Sequence, residues 1–202
     1  MILSKRKSLF SLAAAGLLIA AAGVAQAQST TWSIDPAHSE ADFSVKHMGI
    51  SNVHGRLGNI TGAVTLNDKD ITQSQVKATI QTATVDTGVA QRDTHLKSAD
   101  FFDVAKYPQM TFESTGITKV DGELKMTGNL TLHGVTKPVT LAVEGPSKEQ
   151  LDPYGKTRRA FSATTTIHRQ DFGLLWNGNL KSGDTVIGDD VKIELDIEVI
   201  KQ

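Results

Sequence analysis

In VKIELDIEVI, residues 191–199 alternate without a fault: Val191, Ile193, Leu195, Ile197 and Val199 against Lys192, Glu194, Asp196 and Glu198. Successive side chains of a β-strand point to opposite faces, so this spacing predicts a strand with one apolar and one polar side. The same period runs through LKMTGNLTLH, where Leu124, Met126, Gly128, Leu130 and Leu132 share a face. Six further rows repeat it. They are Ala41, Phe43, Val45; Ile60, Gly62, Val64, Leu66; Val76, Ala78, Ile80; Met110, Phe112; Val139, Leu141, Val143; and Phe161, Ala163, Thr165, Ile167. A chain with eight such rows folds as sheet.

The breaks carry turn chemistry: NDKD at 67–70, VDGE at 120–123 and HGVTKP at 133–138 are short hairpin connections, and GPSKEQLDPYGK is a longer polar loop. One segment, TGVAQRDTHLKS at 87–98, has helical character, with Thr87 as the expected cap and Val89 and Leu96 on one face. Ser98 then caps a turn holding Asp100, Phe101 and Phe102, which Pro108 ends. The expected fold is all-β: an eight-stranded antiparallel barrel with a short helical excursion between strands three and four. Closure removes the exposed strand edges.

Alternation alone does not say which face points inward. An outward apolar face would make a small outer-membrane barrel. The 10 aromatic residues beyond position 28 form no pairs flanking the strands, as interfacial girdles require. Gly62, Ala78, Thr82, Gly128 and Thr165 interrupt the apolar faces and suit an interior. With that face inward, side chains fill the barrel or small ones leave room for one apolar ligand.

The N-terminal SKRKSLFSLAAAGLLIAAAGVAQAQ has a basic start, a short apolar run and small residues at 25–27, the layout of a cleaved signal peptide over 1–27. A retained anchor helix is the alternative. The expected mature unit is a single domain over 28–202. Loss of Lys5, Arg6 and Lys7 leaves 18 basic against 22 acidic residues, a net charge of −4, which excludes a nucleic-acid surface. The absence of cysteine excludes disulfides and thiolate metal sites.

Five long motifs carry a family resemblance: WSIDPAHSEADFSVKHMGISNVHGRLG, TGVAQRDTHLKSADFFDVAKYPQMTFES, GNLTLHGVTKPVTL, HRQDFG and GDDVKIELDIEV. Together they resemble the YceI-like family, bacterial and mostly periplasmic polyisoprenoid-binding proteins. The resemblance spans Trp32 to about Ile200. It implies a lipocalin-like barrel whose cavity holds a long isoprenoid, such as a quinone or its precursor, or another acyl-type lipid. It also implies a periplasmic location, with transient contact at the inner-membrane surface and a homodimer kept as partner expectations. No cofactor beyond the bound lipid and no metal is expected.

The expected cavity lining is Phe43, Val45, His47, Ile60, Val64, Ile80, Phe101, Phe102, Met110, Phe112, Met126, Leu130, Val139, Leu141, Phe161, Ile167 and Phe172. Phe101 and Phe102, followed by Tyr107, are placed to pack over the cavity rim, or else to anchor the helix on the barrel exterior. Burying a methylene yields about 0.8 kcal/mol, so a five-carbon isoprene unit gives about 3 kcal/mol before ordering costs. Apolar walls therefore suffice for retention, and polar groups set orientation.

Arg92, Asp93, His95 and Arg169 are the candidate head-group contacts, suited to a hydroxyl, quinone oxygen or phosphate; surface salt bridges are the other reading. His38, His47 and His54, spaced nine and seven apart, form no HxxxH pair on a helix and read as structural, with His47 facing inward. Leu174, Leu175 and Trp176 form an apolar loop that either touches a membrane or folds back onto the barrel. There is no G-x-S-x-G elbow and no phosphate-cradling loop, and Ser39 beside His38 points to the opposite face. The sequence therefore reads as a binding protein, not an enzyme. The alternatives are an enzyme acting on such a lipid and a stress-protective barrel with an incidental ligand.

Overall fold

The computed structural model describes residues 29–202, so the signal peptide expected from the sequence lies outside the described residues. The strands are β1 (Ser29–Ile34), β2 (Glu40–His47), β3 (Ser51–Leu57), β4 (Ile60–Asn67) and β5 (Gln75–Gln81). After α1 (Ala90–Lys97) come β6 (Gln109–Val120), β7 (Glu123–Leu132), β8 (Val135–Glu144), β9 (Gln150–Leu151), β10 (Thr157–His168) and β11 (Ile187–Lys201). The helical excursion thus falls where the sequence places it, between the strands around Ile80 and Met110.

The wall closes on itself as an eight-strand antiparallel ring, β11–β1–β4–β5–β6–β7–β8–β10 and back to β11. β2 and β3 lengthen one side: β2 pairs with β11 beyond the stretch used by β1, and β3 pairs with β2. The ring therefore includes β1, which none of the eight alternating rows contains, and the row at Ala41–Val45 belongs to the extension. STTWSI has two large apolar residues and SNVHGRL is broken by Gly55, so neither β1 nor β3 shows a full apolar face in the sequence.

β11 closes the ring. It pairs with β10 from Arg158↔Ile200 to His168↔Asp190, and on its other edge with β1 near Val199 and with β2 from Ile187 to Asp196. The bend between β1 and β2 is fixed by charge. Arg158 Nη1 donates to Asp35 Oδ2 at 2.6 Å and to Glu198 Oε1, and its Nε donates to Asp152 at 2.7 Å. His38 Nδ1 lies 2.9 Å from the same Asp35 oxygen. The Arg158 guanidinium, then His38, hold the Asp35 carboxyl far below the usual carboxylate range.

Two glycines expected or available to leave space are instead covered by aromatic rings. A Cβ at Gly128 would lie 2.3 Å from Phe112 Cζ, and one at Gly55 would lie 2.4 Å from Phe43 Cζ. At the far end Trp32 is fully buried, its Nε1 donating to Thr30 Oγ1 at 2.8 Å, with Arg159 and Lys201 over its ring.

Arg158→Met leaves three carboxylates facing one another without their cation. The side chain is 20% exposed, so the expected loss of stability at pH 7 is smaller than that of a fully buried pair. Asp35 has a depressed folded pKa, so its stabilisation is present above its unfolded value of about 4 and fades as pH falls through the folded one. Urea titrations should therefore show the gap between wild type and variant narrowing below about pH 4. A gap independent of pH would contradict the charge argument.

Candidate functional site in the barrel interior

Inside the ring is a chamber of about 500 Å³ whose wall is almost entirely apolar. That size lies within the roughly 300–1,000 Å³ of small-molecule sites. The inward rows of the strands build it by simple alternation: Val191, Ile193, Leu195 and Ile197 on β11, Ile60, Val64 and Leu66 on β4, Met126 and Leu130 on β7.

Of the lining residues expected from the sequence, Phe43, Val45, His47, Ile60, Val64, Ile80, Phe101, Phe102, Met110, Phe112, Met126, Leu130, Val139, Leu141, Phe161 and Ile167 stand on this wall. Phe172 does not. It lies in the 3-10 turn Arg169–Phe172 after β10, 2% exposed and part of the packed core outside the chamber. The strand period no longer applies once the chain coils, so parity misplaces it. Tyr107 also stays off the chamber wall, edge-on to His133 at 4.6 Å. Among the small residues expected to make room, Ala78 and Thr165 line the wall, whereas Gly62, Thr82 and Gly128 do not.

The sequence reading passed over Ile34, Leu57, Ile71, Val76, Leu124 and the inward row of β11 as lining residues. Val76, Leu124 and the β11 residues stand in the periodic rows of β5, β7 and β11; Ile34 and Leu57 sit on β1 and β3, which the rows omit, and Ile71 on the 3-10 turn Ile71–Gln73.

At the mouth, α1 and the turn behind it lie over the open end. The backbone N–H of Phe101 donates to Ser98 O and that of Phe102 to Leu96 O, which turns both rings toward the chamber. His95, Phe101 and Trp176 form an aromatic cluster with centroid separations of 4.8–5.3 Å. Thr87 is not the cap of α1: Val89 holds that position without a side-chain bond. Asp93 reaches back instead, accepting from the Thr87 N–H at 2.8 Å and the Thr87 hydroxyl at 2.6 Å.

The four candidate head-group residues part company here. Arg92, His95 and Arg169 line the chamber; Asp93 does not, because its carboxylate is spent on Thr87. Arg92 Nε donates to Thr87 Oγ1 at 2.7 Å, and His95 Nε2 lies 2.8 Å from Asp100. Arg169 is 4% exposed and donates to the carbonyls of Gly188, Leu174, Trp176 and Ile187. Burial pushes its pKa below the usual arginine value. It pins the loop that carries Trp176 against β11.

His38, His47 and His54 are not brought together: His47 lines the chamber, His54 is exposed and His38 is tied to Asp35. Two ligand-like sets do converge among the described residues, Asp35–His38–Glu198 and His168–Asp189–Asp190. Arg158 occupies the carboxylates of the first. Neither set touches the chamber. The strand separation of Asp35 and Glu198, far apart in sequence, hid the first from spacing rules.

A closed antiparallel wall, an apolar chamber and a helix across one end define a lipocalin-like barrel. Residues 32–199 match the YceI-like domain, and the chain belongs to that family. Protein YceI of Escherichia coli O157:H7 is 38% identical over 197 residues, covering 98% of this chain and 99% of its own. A crystal structure of the Campylobacter jejuni YCEI protein matches with a TM-score of 0.64 and 31% identity, over 78% of this chain and 90% of that one. A polyisoprenoid binding domain from Saccharophagus degradans shares the fold at TM-score 0.60 and 16% identity, covering 86% and 99%.

Asp93→Ala removes the acceptor that holds Thr87 against α1. Loss of a charged hydrogen bond costs about 1.5–3 kcal/mol locally. Hydrogen exchange across residues 90–97 should speed up about tenfold or more, while β11 amides keep their protection. Unchanged exchange in α1 would show that Asp93 does not hold it.

Proposed function

We propose that this protein is a periplasmic binding and carrier barrel for a long-chain isoprenoid, such as a quinone or its precursor, or a similar amphiphilic lipid. The lipid lies tail-inward with its head group at the α1 end. The observation that carries this reading is the roughly 500 Å³ apolar chamber beneath a mouth where Arg92, His95 and Arg169 gather. Apolar cavities of this size destabilise a fold when empty, and a hydrocarbon tail offsets that cost. The polyisoprenoid binding described for the Saccharophagus degradans domain, which shares the fold, supports the choice of tail.

Polar groups at the mouth supply contacts without obvious machinery for turnover. Away from the chamber, Ser39 is engaged with the Glu198 backbone and His38 with Asp35, so that adjacent pair is not set up as nucleophile and base. Binding therefore takes precedence over catalysis as the reading. Near the mouth Ile50 is 80% exposed and Leu175 67% exposed. Exposed apolar side chains beside a lipid chamber fit transient contact with the inner-membrane surface during loading.

Native mass spectrometry of protein released from the periplasm without detergent should show an adduct that extracts into organic solvent as an isoprenoid or acyl lipid. The same sample should begin at Gln28. A clean ligand-free mass, with nothing extractable, overturns the carrier reading.

A further inference from the structure

The far end of the barrel is closed unevenly. Beneath β1, β10 and β11 it is filled by Trp32 under Arg159 and Lys201. Beneath β7, β8 and β10 the floor is one side chain thick. A second, more open pocket of about 670 Å³ lies there, between the β6–β7 turn, the segment after β8 and the middle of β10. Ile71, Leu124, Val143 and Ala163 are walls of both this pocket and the chamber. The pocket also takes in Ala142 and Thr164, which alternate with the inward residues and face outside, so it straddles the wall.

At this pocket β8 and β10 are joined by a short ladder. β8 and β10 pair at three positions, Ser162↔Glu144, Ala163↔Val143 and Thr164↔Ala142, while β7 and β8 pair along nearly their whole length. Past Thr164 the ladder stops, and the Thr165 hydroxyl donates to Thr140 O at 2.8 Å. Pro138, without an N–H, stands further along β8, a placement that sheets tolerate only on unpaired edges. Ala163 is the smallest member of the inward row Phe161, Ala163, Thr165, Ile167. Opposite it, Ile71 sits on a 3-10 turn capped by Asp70, whose Oδ1 accepts from the Thr72 N–H at 3.1 Å.

The volume makes the junction consequential. At about 30 Å³ for each water-sized group, the chamber takes on the order of seventeen carbons, or about three isoprene units. A longer chain has to leave it. The mouth is roofed by α1 and the His95–Phe101–Trp176 cluster, and past the floor beside Ala163 lie the apolar Leu124, Val143 and Pro146, flanked by Lys119, Glu123 and Glu144.

We propose that the second pocket is a tail subsite: a long isoprenoid passes over Ala163 and under Ile71, and its distal units lie against Leu124, Val143 and Pro146. Ala163 and Ile71 are then the residues that set which chain lengths gain affinity. This rests on the lipid-binding reading above, and names where the end of the ligand goes.

The test uses the mature protein and all-trans prenols of two, four and eight isoprene units, with a diazirine on the terminal unit of the longest. In the wild type the eight-unit prenol should bind at least tenfold tighter than the four-unit one, and the diazirine should label residues 119–124 or 144–146. Ala163→Phe, which blocks the passage, and Ala142→Trp, which fills the pocket from outside, should each cut that ratio below twofold and abolish the labelling. Either variant alone, if folded, suffices. An eight-unit prenol that gains nothing over four units, or labels only the mouth, overturns the tail subsite while leaving the carrier reading intact. Failure of every prenol to bind the wild type overturns both.

Discussion

The backbone hydrogen bonds of β11 are the constraint on which the rest of this fold depends. A barrel closes only if one strand is paired on both edges where the ends of the sheet meet, and β11 meets β10 along one edge while β1 and β2 share the other. That sharing requires the chain to change direction between Ile34 and Glu40. The charge cluster of Asp35, His38, Arg158, Asp152 and Glu198 sits at that bend. With the register of β11 set, its alternation decides which side chains face in. Slipping one residue would put Lys192 and Glu194 where Val191 and Ile193 now line the chamber.

The interior then follows from geometry more than from specific polar chemistry. Strands contribute rows of branched and aromatic side chains, and polar groups enter the wall mainly where α1 and the segment after β10 meet it. Those polar groups are already committed: Arg92 to Thr87, His95 to Asp100, and Arg169 to four backbone carbonyls. Arg169 thereby holds a loop across the mouth without a carboxylate partner in its hydrogen bonds, which is why desolvation dominates its ionisation.

Much of the wall was legible because period two survives in any strand with one dry face. The rows on β4, β5, β6, β7, β8, β10 and β11 could be read directly, and with them most of the chamber lining. What escaped has identifiable causes. β1 and β3 carry too few apolar residues to advertise themselves. Gly128 looked like vacated space, because a sequence does not show that Phe112 lies across it. Phe172 was assigned by parity just beyond the point where the strand ends. Thr87 had the right chemistry for a cap, but the longer reach of Asp93 reversed the direction of the bond. The YceI-like resemblance supplied the fold class from motif order, and it had no means of locating the second pocket, which is built from outward as well as inward residues of β8 and β10.

The rings of Phe43 and Phe112, each seated on a glycine of a neighbouring strand, carry a consequence for how barrels of this shape diverge. Neither partner is free to vary alone: a methyl at 55 or 128 evicts the ring, and a smaller residue in place of the ring leaves bare backbone with nothing against it. In each couple, a change on one side therefore calls for a matching change on the other. Chamber shape can drift through the aliphatic rows, while these two contacts act as fixed rivets around which the drift takes place.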